Sequence, residues 1–140
     1  MPLLIDFKSG DKIIINGAVL ENAGSSSKLL IHNQASILRG KEILSEEESN
    51  TPASRTYFAL QCAYMFADKE DDYLKLFNNF LTEYTVACPS AKPIAGEIRD
   101  EVEKGRLYRG LKAAQKLIKH ESELLHSLRD DVEQASQEKS

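Results

Sequence analysis

The spacing of apolar residues changes once along this chain, between residues 45 and 51, and that change limits the folds open to it. Before it, apolar residues come in short runs rich in β-branched side chains, each ended by a turn signal. After it, they recur every three or four residues, the period of a helix that buries one side. The chain therefore predicts an α+β protein with a small N-terminal antiparallel β unit over residues 1–45 and a C-terminal four-helix α bundle over residues 51–129.

The β unit is predicted from four apolar runs, at residues 3–5, 13–15, 18–20 and 29–31, and from a shorter segment at 36–38. Asn16-Gly17 is the strongest hairpin signal, because both residue types tolerate the positive φ of a tight turn. About 45 residues rarely bury enough apolar surface to be stable alone. We therefore expect the unit to pack on the helices or on a second copy; the second of these alternatives would make the protein a homo-oligomer. The strand order stays open.

The helices are bounded by local signals. Thr51 is a suitable N-cap before Pro52 at the first helical position. Pro89 ends a second helix, and Gly105 separates a third from a fourth. The expected helices cover residues 52–67, 71–86, 92–103 and 106–129. The polar residues 130–140 are expected to form a disordered tail.

Charge and cysteine content exclude several classes of protein. The 18 Lys and Arg against 22 Asp and Glu give a net charge of −4, so nucleic-acid binding would need a local basic patch. The two cysteines, Cys62 and Cys88, lie outside any C-x-x-C motif, which argues against a structural zinc site and a disulfide scaffold. The N-terminal apolar run meets a charge at Asp6, and no run is long enough to span a bilayer. A cytoplasmic protein with no membrane segment is predicted.

Catalytic and metal-binding patterns are absent from the sequence. His120-Glu121 is followed by Leu124 where the zinc-protease motif needs a second histidine. Cys62 lies among apolar helix residues, the setting of a buried thiol that behaves as a small hydrophobe. The sequence predicts a protein that is not an enzyme and that holds no metal and no cofactor.

Two groups of cations are candidates for RNA binding. The first belongs to the β unit and the start of the first helix: Lys8, Lys12, Arg39, Lys41 and Arg55. The second is a basic face on the last helix, opposite its apolar stripe of Leu107, Leu111, Ala114, Ile118, Leu125 and Leu128: Arg109, Lys112, Lys116 and Lys119. An ordinary solvated helix face is the favoured explanation of the second group. Asp6, Asp11 and Glu42 dilute the first, and Phe7 as its one aromatic residue does not make a base-stacking platform.

Several sequence blocks resemble the FlbT family of flagellar post-transcriptional regulators. They are Phe7–Lys12, Ile15–Val19, Asn33–Lys41, Thr51–Phe58, Gly105–Lys112 and Leu117–Glu121. The resemblance implies control of flagellin synthesis through the 5′ leader of flagellin mRNA, usually as a repressor of translation and message stability. It also implies flagellin and FlaF as protein partners. The segments 3–15 and 38–43 resemble, more faintly, the small RNA-binding protein CsrA, which implies RNA contact by Arg39 with Lys8 beside it.

Two functions of different classes follow from these patterns. The first is a non-enzymatic regulator that contacts the flagellin mRNA leader through Arg39, Lys8, Lys41 and Arg55. The second is an adaptor or chaperone-like module that binds flagellin or another flagellar protein and affects the message indirectly. The acidic charge and the amphipathic helices suit protein recognition.

Overall fold

The computed structural model describes residues 2–138, and over that range five strands precede four helices. The predicted α+β class and the order of its two parts are confirmed. The strands are β1 Leu3–Phe7, β2 Lys12–Ile15, β3 Ala18–Glu21, β4 Ser27–Ile31 and β5 Ile37–Arg39. A 3₁₀ turn at Gly40–Glu42 follows β5. The helices are α1 Pro52–Met65, α2 Glu70–Ala87, α3 Lys92–Glu103 and α4 Leu107–Glu138.

The strands form two small antiparallel sheets. In one, β1 pairs with β4, and in the other the order is β3-β2-β5. The β2–β3 turn has positive φ at both Asn16 (49°) and Gly17 (87°), as the hairpin signal predicts. The Asn22 side chain donates to the carbonyl of Phe7 at 2.7 Å, which holds the connection into β4 against the end of β1.

The alternation of side chains along β2 connects two hydrophobic cores. Ile13 packs with Ile5 and Phe7 in a small core inside the β unit. The next residue, Ile14, points to the opposite face and joins Leu38 of β5 in the core of the helices. Leu38 is fully buried. The three-stranded sheet is therefore one wall of the helical core.

Helix α1 lies against both α2 and α4, and α3 packs on α4. Two side chains bind backbone N–H groups at the N-terminus of α1. The Thr51 side chain accepts the N–H of Ser54, and the buried Glu121 of α4 accepts the N–H of Ala53 at 3.0 Å. A carboxylate at this position also interacts favourably with the positive end of the helix dipole.

Two predicted helix ends are wrong by more than one residue. Helix α1 ends at Met65, because Phe66 leaves the helical conformation (φ −116°, ψ 81°). Helix α4 continues past Arg129 to Glu138, because residues 130–138 contain neither Gly nor Pro to stop it. Residues 139 and 140 of the expected tail lie outside the described residues.

The apolar stripe predicted on α4 is buried only in the first half of the helix. Leu111 and Ala114 are buried, whereas Leu125 and Leu128 are 48% and 52% exposed, because this part of α4 extends beyond the other helices. No helix in the described part of the chain combines the length and apolar character needed to cross a bilayer.

Candidate nucleic-acid interface

A cleft of about 530 Å³ opens between the β unit and α4. Antiparallel pairing of β5 with β2 places Arg39 opposite Ile13, so Arg39 comes close to Lys12 in space although 27 residues separate them in sequence. The charged residues that line the cleft are four cations and three carboxylates: Lys12, Arg39, Lys41, Lys112, Asp6, Asp11 and Glu42. Both sheets, the 3₁₀ turn and α4 contribute to its wall.

Glu42 connects these elements. One carboxylate oxygen accepts the backbone N–H of Arg39 at 3.1 Å. The other accepts the Tyr108 hydroxyl and lies 2.7 Å from the Lys112 ammonium. The backbone carbonyl of Glu42 accepts the Tyr57 hydroxyl at 2.5 Å. Through these contacts Glu42 links β5, α1 and α4. Only 12% of its side chain is exposed.

The environment of Glu42 keeps its carboxylate ionised. Burial raises the pKa, but hydrogen bonds from Lys112, Tyr108 and the Arg39 backbone outweigh burial and hold the pKa below the usual 4.5. The same contact with Glu42 raises the pKa of Lys112. Burial, and then Glu42, raise the pKa of Tyr108, and burial raises the pKa of Tyr57 to about 12. At neutral pH both tyrosines are therefore hydroxyl donors.

The other three cations of the cleft are available to a ligand. Within the range 2–138, neither Lys12, Arg39 nor Lys41 has a carboxylate oxygen within ion-pair distance, and all three residues are exposed. Lys112, by contrast, is engaged by Glu42. An anion entering the cleft would therefore meet three exposed cations and two exposed carboxylates, Asp6 and Asp11, beside the neutralised Glu42–Lys112 pair.

The structure brings some of the predicted site residues together in the cleft and places the others elsewhere. Lys12, Arg39 and Lys41 of the first group come together with Lys112 of the second. The remaining candidates do not line the cleft: Lys8, Arg55, Arg109, Lys116 and Lys119. Lys8 belongs to the β1–β2 turn, where its N–H is bound by the Asp11 carboxylate, and Lys116 pairs with Glu97 of α3 at 2.9 Å. RNA contact by any of these residues stays a prediction.

Sequence analysis missed Tyr108 as a residue of this site. It lies one helical turn before Lys112, on the same face of α4, and is 38% exposed. The Lys112 ammonium lies 5.5 Å from the centre of its ring, and Tyr64 packs beside it at 5.9 Å between ring centres. The i, i+4 spacing of Tyr108 and Lys112 is visible in the sequence, but nothing in the sequence shows that this face of α4 meets the β unit. The aromatic side chain of the cleft comes from a distant helix.

A known protein family matches almost all of the strands and helices described above. The family described as "Flagellar protein FlbT" matches residues 3–125, from β1 to the point where α4 extends past the bundle. This chain belongs to the FlbT family. No solved structure matches it.

Relatives in several bacteria are similar along most of their length. The "Probable flagellum biosynthesis repressor protein FlbT 1" of Bradyrhizobium diazoefficiens is 36% identical over 125 residues, which cover 89% of this chain and 85% of that protein. A Rhodopseudomonas palustris protein of corresponding name is 35% identical, over 89% of this chain and 98% of its own. The "Flagellum biosynthesis repressor protein FlbT" of Caulobacter vibrioides is 32% identical, over 89% and 90%. The relatives carry the names of regulators.

The ion pair of Glu42 predicts a pH-dependent contribution to stability. Because the pKa of Glu42 is lower in the folded protein than in the unfolded chain, its stabilisation is complete above about pH 4.5 and is lost as the pH falls through the folded pKa. We expect Glu42→Gln to lower the free energy of unfolding by about 1–2 kcal/mol at neutral pH. Urea unfolding should show this difference narrowing as the pH falls below 4.5.

Glu47→Gln is the matched control, since Glu47 is an exposed carboxylate in the loop before α1. We expect it to change the free energy of unfolding by less than about 0.5 kcal/mol. If Glu42→Gln lowered the free energy of unfolding equally at neutral pH and well below pH 4.5, this would contradict the assignment of an ionised, hydrogen-bonded carboxylate.

Proposed function

We propose that this protein represses flagellar biosynthesis by binding the 5′ leader of flagellin mRNA in the cleft between the β unit and α4. The observation that carries the proposal is the grouping of Lys12, Arg39 and Lys41, exposed and outside ion pairs in the described chain, in a protein whose net charge is −4. The names of the relatives, which describe repressors of flagellum biosynthesis, support the regulatory part.

The chemistry of the cleft suits unpaired RNA. Lysine and arginine neutralise phosphates and release their condensed counterions, which supplies affinity. A cleft of about 530 Å³ has the size of a small-molecule site, which suits one or two unpaired nucleotides better than a duplex. Unpaired bases are also the usual targets of sequence-specific RNA recognition, because their edges are accessible. Tyr108 offers part of one aromatic ring to such a base.

Repression then requires no chemistry by this chain. A protein bound over the ribosome-binding region would block initiation, and an idle message would be open to nucleases. His120 has a structural role. Its ring nitrogens lie 2.8 Å from the Tyr84 hydroxyl and 2.9 Å from the Ser90 hydroxyl, so it links α2 to α4. Burial raises the pKa of the Cys62 thiol, which opposes a role as nucleophile. These observations support a non-enzymatic function.

An adaptor for flagellin or FlaF is the second candidate. The β1–β4 sheet carries an exposed apolar pair on its outer face, Leu4 opposite Leu30, at 56% and 50% exposure. Such a face favours contact with another protein. In this alternative the effect on the message would be indirect.

A binding measurement with purified protein separates the two candidates. Fluorescence anisotropy with labelled flagellin leader, a scrambled RNA of equal length, and flagellin should be run at physiological salt. Direct repression predicts that the leader binds at least tenfold more tightly than the scrambled RNA. Flagellin binding without preference for the leader would establish the adaptor instead.

A further inference from the structure

A second concave surface lies on the other side of β2, between the β2–β3 hairpin and α1. This groove has a volume of about 340 Å³ and a mainly apolar lining that includes Ile14, Val19, Met65 and Phe66. Val19 lies opposite Ile14 in the hairpin, but whereas the helices cover Ile14, Val19 remains 67% exposed. Phe66, which ends α1, is 40% exposed. The sheet thus offers apolar surface that its own helices leave uncovered.

The last part of α4 carries a second exposed apolar surface. From residue 122 onward, the side chains of α4 are exposed as far as they are described. Leu125, Leu128 and Val132 recur at spacings of three and four, with exposures of 48%, 52% and 68%. We call residues 122–138 the α4 extension; at 1.5 Å per residue it is about 25 Å long.

The charges that border these two surfaces are complementary. Arg129 and Glu133, one turn apart, lie beside the apolar stripe of the α4 extension. Lys12 and Glu46 line the groove. A helix lying in the groove therefore has its cation available for Glu46 and its anion available for Lys12. This pattern of two opposite pairs around an apolar centre favours one orientation of the helix.

We propose that the groove binds the α4 extension of a second copy of this chain. The bundle leaves the apolar stripe of the extension exposed, so the stripe is free to contact a second molecule. Reciprocal insertion gives a closed two-fold dimer with two identical groove–helix contacts. Such a dimer also covers Val19, the exposed apolar residue that the three-stranded sheet contributes to the groove. The dimer does not require RNA, but it shares Lys12 with the cleft proposed for RNA, so the two contacts compete for that cation.

Sedimentation analysis of two complementary variants tests this arrangement. Val19→Asp places a charge in the groove, and Leu128→Asp places one in the apolar stripe of the α4 extension. We expect wild-type protein to be a dimer at micromolar concentration and each variant to raise the dissociation constant at least a hundredfold. An equimolar mixture of the two variants should regain dimers, because the mixed pair keeps one intact groove–helix contact.

Matched controls distinguish this geometry from loss of folding. Val86→Asp changes a similarly exposed valine on α2, outside both surfaces, and should leave the dimer intact. Arg129→Glu should weaken the dimer, and Glu46→Arg added to it should restore much of the affinity. Circular dichroism should show that every variant keeps its helices.

Three outcomes would overturn the proposal. Wild-type protein that remains monomeric at about 200 μM, roughly the concentration at which even weak specific contacts form, contradicts a dimer of any kind. Dissociation by Leu128→Asp but not by Val19→Asp would mean that the two extensions pair with each other. Monomeric protein that captures flagellin in a way sensitive to Val19→Asp would assign the groove to that partner instead.

Discussion

Replacing Lys12, Arg39 and Lys41 together by glutamine is expected to weaken binding of the flagellin leader roughly 50-fold at about 150 mM salt. Each cation that neutralises a phosphate of a single strand contributes about 0.7 to the slope of log affinity against log salt. Three lost contacts should therefore reduce that slope by about 2. The measurement is an anisotropy titration of labelled leader RNA at several salt concentrations, with variant and wild type side by side.

A second triple variant controls for net charge. Lys69, Lys75 and Lys92 are exposed lysines on and beside α2 and at the start of α3, away from the cleft. Replacing them by glutamine changes the net charge by the same amount and should alter leader affinity less than about threefold, through long-range electrostatics alone. Equal losses in the two triple variants would show that the RNA responds to overall charge and that the cleft has no special role.

Leu38→Ala should lower the free energy of unfolding by about 3–5 kcal/mol, the largest stability effect that we expect from a single change in the β unit. Leu38 is completely buried, and although it belongs to β5 it packs among residues of the helical core. Its truncation leaves a cavity at the junction of sheet and helices. Chemical denaturation followed by far-UV circular dichroism gives the free energy, and a single cooperative transition is expected.

Leu30→Ala is the matched control on β4, because Leu30 is 50% exposed. It should lower the free energy of unfolding by less than about 1 kcal/mol. If Leu38→Ala were as mild as Leu30→Ala, the β unit would not share a core with the helices. A separate early transition in the wild type would lead to the same conclusion.

Local signals in the sequence account for most of the secondary structure. Thr51 and Pro52 place the start of α1 correctly, and the predicted bounds of α3 agree with the structure. Asn16-Gly17 places the β2–β3 turn correctly. In each case a few neighbouring residues determine the backbone conformation, so no knowledge of the tertiary structure is needed.

Features that depend on contacts between distant segments could not be predicted in the same way. The pairing of β1 with β4, and not with its neighbour β2, is set by side-chain packing across the sheets. Glu42 looked like a charge that weakens the basic patch, whereas in the structure it binds Lys112 and positions α4. The length of α4 was underestimated because residues 130–138 are mostly polar and resemble a disordered tail. No core buries the last turns of this helix.

The most direct test of the central claim, that leader RNA lies in the cleft, is photocrosslinking followed by mass spectrometry of the crosslinked peptides. Flagellin leader with photoreactive uridines should crosslink to the segment around Arg39–Glu42 and to the start of α4 around Tyr108. The triple cleft variant should lose these crosslinks. Specific leader binding with crosslinks confined to α2 and α3 would contradict the claim and place the RNA elsewhere on the protein.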